Sequence, residues 1–167
     1  MSSIGSPTSS KHEQETNILV VEDGIFNREI LSRQLPKIFR RSSLTFVETA
    51  DQATRALRGE EYLATSPDGK TKWMQGPDHF DVAFLDHHMP CTVDGPFDSR
   101  AGVEVAKALR RTQSEGDRPC LLVSHSSEQL GEADLEVREI FDEVLVKPAS
   151  NARYKEIAEI VQQRNNY

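Results

Sequence analysis

The chain has 167 residues, with 27 acidic against 20 basic side chains and a net charge of −7. Such an acidic protein repels nucleic-acid phosphates, so no nucleic-acid-binding face is expected. No apolar run approaches the roughly 20 residues of a membrane span, and the two cysteines form no CxxC pair. These properties favour a single soluble, cytoplasmic domain that binds neither nucleic acid nor membrane.

Residues 1–16 are rich in Ser, Thr, Gly and Pro, lack apolar periodicity and are predicted to form a disordered tail. Beyond them, residues 17–167 are expected to form the domain, in which short apolar runs alternate with segments of helical periodicity. The predicted strands lie at 18–21, 44–47, 82–85, 120–123 and 144–146. This alternation is typical of βαβ units around a parallel sheet.

Five helices are predicted between and after these strands. In the first, Ile30, Leu31, Leu35 and Ile38 are expected on the buried face, and Pro36 is expected to end or kink the helix early. The apolar markers of the other four are Ala50, Ala53 and Leu57; Val105, Ala106 and Leu109; Leu130, Ala133, Val137 and Phe141; and Tyr154, Ile157, Ala158 and Val161. The prediction is therefore a flavodoxin-like, doubly wound α/β fold, a five-stranded parallel sheet in the order 2-1-3-4-5 with five helices.

Two connections are longer than such a fold needs. The segment 59–79 precedes the third strand and is expected at the bottom of the sheet, with Trp73 and Met74 holding it against the body. The segment 91–100 follows the third strand and is expected at the top. Long loops in compact domains are more often functional or disordered than neutral.

Polar side chains follow four of the predicted strands, at their carboxyl ends. They are Glu22 and Asp23 after the first strand, Asp86 after the third, Ser124 after the fourth and Lys147 after the fifth. Ligands of open α/β sheets bind at this edge, and adjacent strands one and three, about 4.8 Å apart, would bring the three carboxylates together. Crowded carboxylates repel unless a cation intervenes, which indicates Mg²⁺ before Ca²⁺. A carboxylate beside a metal, a lysine and a hydroxyl is suited to nucleophilic attack on phosphorus.

The motifs at these strand ends also resemble a known family. In chain order they are Ile18-Leu19-Val20-Val21-Glu22-Asp23, Asp86 followed by Met89-Pro90, Ser124, and Lys147-Pro148. Their order and positions resemble the receiver domain of two-component response regulators over about residues 17–163. Each motif alone is weak, and their combination carries the resemblance.

The resemblance implies that Asp86 is the phosphoacceptor, taking a phosphoryl group from a phosphohistidine. Ser124 would hydrogen-bond an oxygen of that group and Lys147 would pair with it. The resemblance further implies a cis peptide between Lys147 and Pro148, which would turn the lysine toward the phosphoryl site.

The metal site implied by the resemblance uses four residues. Asp23 would bind Mg²⁺ directly and Glu22 through water, Asp86 would supply a further carboxylate, and His88 would contribute its backbone carbonyl. Partners of the family are histidine kinases and histidine phosphotransfer proteins. Asn27, at a position that is often Asn in receivers of hybrid kinases, gives a weak hint of a phosphorelay.

Four features depart from the family pattern. Glu22 replaces the commoner Asp, His125 follows Ser124 where a small residue is usual, and Val144 stands where an aromatic switch residue is typical. The 91–100 segment is also longer than usual. None of these removes a phosphorylation residue, but the last three put the usual output route in doubt.

The preferred function is a signalling switch that catalyses its own phosphotransfer and slow autodephosphorylation, rather than a metabolic enzyme. Met1 and the tail favour a stand-alone regulator, and the downstream target stays open. An alternative is a pseudo-receiver, a protein-interaction module independent of phosphorylation. A phosphohydrolase of the haloacid dehalogenase type is disfavoured, because Asp23-Gly24-Ile25 lacks the second acid of its Asp-x-Asp motif.

The histidines raise one further hypothesis. His87, His88 and His125 are all expected near the rim of the pocket. Adjacent histidines do not easily share one metal ion, and the chain has no HxxxH or Cys/His spacing. A zinc site is therefore disfavoured.

Overall fold

A computed structural model describes residues 14–113, 120–127 and 134–167. The predicted tail up to residue 13 lies outside these ranges, as do Leu130 and Ala133 of the predicted fourth helix. Thr16, assigned to the tail, already belongs to the first strand. Along the chain the elements are β1 (Thr16–Val21), α1 (Ile25–Ile38), β2 (Ser42–Val47), α2 (Ala50–Leu57), β3 (Tyr62–Thr65), β4 (Thr71–Met74), β5 (Val82–Leu85), β6 (Met89–Pro90), β7 (Phe97–Asp98), α3 (Ala101–Thr112), β8 (Leu121–Ser126), α4 (Leu135–Ile140), β9 (Glu143–Val146) and α5 (Asn151–Asn165).

Five of the strands form a parallel sheet in the order β2-β1-β5-β8-β9. Counted among the sheet strands alone, this is 2-1-3-4-5, so the predicted fold is confirmed. The central strands are apolar runs buried on both faces, as parallel strands under helices require. No helix among the described residues is both long and apolar enough to cross a membrane.

Alternate residues of each strand pack into two separate cores. Leu85 and Leu122 lie in the core that also holds residues of α2, α3 and α4. Phe84 and Val123 lie in the opposite core, with residues of α1 and α5. Because side chains alternate across a strand, this assigns a face to each residue at the carboxyl edge.

Helix α1 differs from its prediction in two respects. It continues through Pro36 to Ile38, so the helix tolerates one missing backbone N–H in its last turn. Its buried residues are Arg28, Leu31 and Leu35, whereas Ile30 is 58% exposed and was wrongly placed in the core.

The long connection 59–79 contains an antiparallel hairpin, β3–β4. Tyr62 is buried and donates its hydroxyl hydrogen to the Gly76 carbonyl at 2.6 Å. Met74 packs against the core as predicted, but Trp73 is 55% exposed, so its predicted anchoring role was wrong. Tyr62 supplies the anchor instead.

The second long connection also forms a hairpin rather than an irregular loop. Met89 pairs with Asp98 and Pro90 with Phe97 in the strands β6 and β7. The Asp51 amide, in the first turn of α2, donates to the Cys91 carbonyl at 2.9 Å and ties the hairpin to the body. The hairpin starts three residues after Asp86, at the carboxyl edge of the sheet.

Candidate functional site at the carboxyl edge of the sheet

The predicted carboxylates meet at the carboxyl edge of β1 and β5. Glu22, Asp23 and Asp86 each offer an oxygen, and the three oxygens lie within 4.8 Å of one another. Val21 pairs with Leu85, and the Asp86 amide donates to the Val21 carbonyl at 3.2 Å, so the following acids are held side by side. The structure therefore assembles an acidic cluster.

Lys147 joins two of these acids. Its Nζ donates to Glu22 Oε2 at 2.5 Å and to Asp86 Oδ2 at 2.9 Å. The Lys147 amide donates to the Ser126 carbonyl at 2.8 Å, and the peptide to Pro148 is cis, as predicted. Burial lowers the lysine's pKa, but the bond to Glu22 and the charge of Asp86 outweigh it, so the pKa is raised and the ammonium persists.

The cluster can hold a hard cation. Burial, and to a smaller extent the neighbouring Glu22 charge, raises the pKa of Asp23. Three carboxylates are a suitable donor set for Mg²⁺. The His88 amide donates to Asp86 Oδ1 at 3.3 Å, and metal binding by the His88 carbonyl stays a prediction.

Arg28 is a component of the site that the sequence reasoning missed. Its guanidinium donates to the carbonyls of Glu22 at 3.2 Å and Asp23 at 2.9 Å, and it pairs with Glu48 at 2.7 Å. It therefore fixes the backbone that carries two acids. The signal was available, because Arg28 lies three and seven residues before Leu31 and Leu35, on the apolar stripe of α1.

Ser124 is fully buried, and its Oγ lies 2.7 Å from Nε2 of His87. The imidazole stacks on Phe141 with ring centres 5.5 Å apart and planes 28° apart. His87 is 3% exposed, so its predicted place at the pocket rim was wrong. The cause is strand alternation, which turns His87 toward the α2–α4 core.

His125 lies in the opposite core and was also wrongly placed at the rim. Its Nε2 is 2.6 Å from the Tyr154 hydroxyl, and both rings pack on Phe84. Burial, with a smaller effect of Lys147, lowers the pKa of His125 to about 3, and burial with the Glu22 charge raises the pKa of Tyr154 to about 12. Both groups are therefore neutral near pH 7.

His88, the third of the histidines predicted at the rim, is exposed beside Phe97. The three histidines thus occupy different environments. Among the described residues, the only group of three or more potential metal ligands is the acidic cluster itself. The geometry gives no support to the zinc hypothesis.

Gly102, at the start of α3, lies directly against the site. A Cβ there would be 2.0 Å from the Asp86 carbonyl oxygen and 3.2 Å from the His87 Cα. The Gly102 amide also points at the His87 carbonyl, 3.4 Å away. Only a glycine permits this approach, which holds the backbone of Asp86 and His87 under the helix.

Comparisons with known proteins give a consistent fold. No protein-family model matches the chain, and no curated protein matches it in sequence. It is similar to a two-component response regulator from Legionella pneumophila, with a TM-score of 0.64, 19% identity, and coverage of 89% of this chain and 99% of the other. It is also similar to the receiver domain of a sensor histidine kinase from Pseudomonas aeruginosa, which has a magnesium ion coordinated in its active-site cleft. That comparison gives a TM-score of 0.59 and 18% identity, and it covers 92% of this chain and 100% of the other.

A third similar structure is the phosphorylated cyanobacterial phytochrome response regulator RcpA, with a TM-score of 0.59, 15% identity, and coverage of 90% of this chain and 93% of that one. At these identities the likeness concerns the fold. The chain therefore has the fold of a response-regulator receiver domain.

Proposed function

We propose that the protein is a phosphorylatable switch of a two-component phosphorelay, in which Asp86 accepts a phosphoryl group from a phosphohistidine. One observation carries the proposal. The Asp86 carboxylate is 2.9 Å from the Lys147 ammonium and lies within the acidic cluster at the carboxyl edge of the sheet. The receiver-domain fold supports it.

The reaction suits this carboxylate. An Asp86 oxygen attacks phosphorus, the P–O bond forms, the P–N bond of the phosphohistidine breaks, and the freed imidazole nitrogen takes a proton from water. Lys147 then stands beside the new phosphoryl oxygens and offsets their charge. Hydrolysis by water, slow in our proposal, returns Asp86 to its free form.

Glu22, Asp23 and Asp86 would hold Mg²⁺, with the His88 carbonyl as a further protein ligand. Bound there, the ion would neutralise charge on the transferring group. The fit rests on the three carboxylate oxygens that lie within 4.8 Å of one another. The magnesium ion in the Pseudomonas receiver domain supports the choice of metal.

Histidine kinases or histidine phosphotransfer proteins are the proposed donors, in the cytoplasm. Asp86 is 8% exposed, so a donor must bring its phosphohistidine to the carboxyl edge of the sheet. The output is proposed to be a contact with another protein, whose identity this chemistry does not define.

The test is labelling with acetyl phosphate and formation of a beryllofluoride adduct, each with Mg²⁺. We expect a single-site adduct on the wild-type protein and none on Asp86→Asn. Asp94→Asn is the matched control, because Asp94 is an exposed acid with φ of 58°, a conformation that Asn tolerates. Labelling that survives Asp86→Asn contradicts the assignment.

The pseudo-receiver is the second candidate, favoured by one observation: the hydroxyl expected to serve the phosphoryl group is already bonded to His87. In that case the wild-type protein forms no adduct. A phosphohydrolase would instead release phosphate rapidly without accumulating an adduct.

A further inference from the structure

The environment of Ser124 adds a control element to the proposed site. We propose that His87 is a positioning residue, which retains the Ser124 hydroxyl in the unphosphorylated protein and releases it when Asp86 carries a phosphoryl group. This inference rests on the proposed function and concerns the regulation of the same site.

The side chains of His87 and Ser124 point to the same face of the sheet. Leu85 and Ser124 are register partners, and Leu85 belongs to the α2–α4 core. His87, two residues beyond Leu85, returns to that face and meets Ser124 at 2.7 Å. The Asp86 side chain leaves the opposite face of the chain. We therefore expect Ser124 Oγ to turn away from the imidazole when it serves a phosphoryl group on Asp86.

Both partners of the His87–Ser124 bond are buried. Ser124 is 0% and His87 3% exposed, so bulk water does not replace a partner that either loses. A buried polar group without a hydrogen bond is unfavourable. The His87–Ser124 bond thus stabilises the unphosphorylated arrangement, and a phosphoryl oxygen must compete with it.

Of the two partners, His87 is the better fixed. Its ring stacks on Phe141, and its backbone is held under α3 by the close approach of Gly102. Ser124 is therefore the group that moves. Phe141 directly follows α4, so loss of the bond changes a ring that is packed against the end of that helix.

This gives phosphorylation a route to α4 that needs no aromatic residue at Val144. The half-buried Val144 has a short, stiff side chain that cannot replace a swinging ring. The His87–Phe141 stack can take that place, because one of its members is bonded to the hydroxyl that moves.

The test measures beryllofluoride affinity in saturating Mg²⁺ by titration calorimetry. His87→Phe keeps a ring on Phe141 but cannot bond Ser124. We expect it to bind beryllofluoride about two- to tenfold more tightly than the wild type, the range given by the net contribution of one hydrogen bond. His87→Gln, which restores a polar partner, should return the affinity toward the wild-type value.

A double-mutant cycle attributes the gain to Ser124. In a Ser124→Ala background, His87→Phe should change the affinity little, because the bond is already absent. An unchanged or weaker affinity of folded His87→Phe, or a gain that persists without Ser124, overturns the proposal.

A second measurement uses the wild-type protein and stands even where a variant fails to fold. The ¹⁵N chemical shift of His87 Nε2 should change when beryllofluoride binds, since its hydrogen bond is lost. A bound adduct with an unchanged Nε2 signal overturns the proposal while leaving the proposed function intact. Failure of the wild-type protein to form any adduct refutes both.

Discussion

The carboxyl edge of the sheet consists of two neighbouring regions built from different interactions. The ionic region comprises Glu22, Asp23, Asp86 and Lys147. The hydrogen-bonded region comprises the pairs His87–Ser124 and His125–Tyr154, which are joined by buried hydrogen bonds of 2.7 and 2.6 Å. The ionic region holds more acids than bases and is suited to binding a cation. In the hydrogen-bonded region, any change of partner costs a buried hydrogen bond.

In the proposed switch, this difference indicates where charge would be accepted and where it would be sensed. A phosphoryl group adds negative charge to the ionic region alone. The hydrogen-bonded region can respond through the groups that connect it to the ionic region, namely the peptide joining Asp86 to His87 and the hydroxyl of Ser124. The charges of Lys147 and Glu22 also act on His125 and Tyr154. In the proposed switch, the chemistry would take place in the ionic region and the conformational response in the hydrogen-bonded region.

The largest expected effect comes from removing the only base of the ionic region. Lys147→Gln should slow phosphorylation by acetyl phosphate on the order of a hundredfold, because a group that offsets the developing charge is lost. The same variant should bind Mg²⁺ more tightly, since Glu22 and Asp86 lose their cation. Stopped-flow fluorescence and calorimetry measure the two effects.

Lys155→Gln, an exposed lysine of α5, is the matched control and should behave like the wild type. If Lys147→Gln weakens Mg²⁺ binding instead, the lysine supports the metal site rather than competing with it.

The next prediction concerns the hydrogen-bonded region and the pH dependence of the free energy of unfolding. The pKa of His125 is about 3 in the folded protein, below an unfolded value of about 6.5. Below pH 6.5 the unfolded chain binds a proton that the folded protein does not. The free energy of unfolding should therefore fall as pH drops from 6.5 toward 3, with this group contributing up to about 1.4 kcal/mol per pH unit.

The variant that removes this dependence is His125→Phe with Tyr154→Phe, which replaces both partners by apolar rings and leaves neither unpaired. Urea denaturation at several pH values should show a shallower loss of stability for the double variant. Parallel curves for the wild type and the double variant would mean that His125 does not control the acid response.

The ionic region could be predicted from the sequence because its members stand at the carboxyl ends of apolar runs. The order of the sheet and the convergence of Glu22 and Asp86 followed from the alternation of strands and helices. The hydrogen-bonded region could not be predicted in this way. Whether His87 lies at a rim or in a core depends on the helices that cover its face, and a single sequence does not fix those contacts.

The inserted segments show the same limit. Their length indicated that they were unusual, but not that each would pair with itself as a hairpin. Tyr62, rather than Trp73, anchors the first, because it lies with Ala64 on the face of β3 that is turned to the core. Such preferences arise from packing between distant segments, which local patterns do not contain.

Gly102 lies where both regions meet, so its replacement should disturb both. Gly102→Ala places a Cβ 2.0 Å from the Asp86 carbonyl oxygen, and backbone must move to admit it. We expect a loss of about 1–3 kcal/mol in the free energy of unfolding, the usual effect of overpacking, together with weaker beryllofluoride binding. Thermal and urea denaturation measure the first, and calorimetry the second.

Lys155→Ala, at the exposed site on α5, serves as the control and should change stability by less than about 0.5 kcal/mol. A Gly102→Ala protein with wild-type stability would show that α3 can shift freely over Asp86 and His87.

The smallest effect concerns the hairpin beside the ionic region. Replacing residues 91–96 by Asn-Gly would keep the pairing of Pro90 with Phe97 through a two-residue turn. The hairpin begins beside Asp86, and the carbonyl of Cys91 accepts the hydrogen bond from the Asp51 amide that ties the hairpin to the body. Shortening the turn removes that tie and should expose the acyl phosphate to water. We expect a few-fold faster loss of phosphate, followed by intact-mass measurements over time.

The chain offers a matched control in its other hairpin. Replacing residues 66–70 by Asn-Gly shortens the β3–β4 turn in the same way, between the paired residues Thr65 and Thr71. That hairpin contacts β2, the edge strand of the sheet, and carries none of the clustered acids. Equal rates in both variants would show that the second hairpin is a passive insertion, whereas a change confined to 91–96 would make it part of the control of the phosphorylated state.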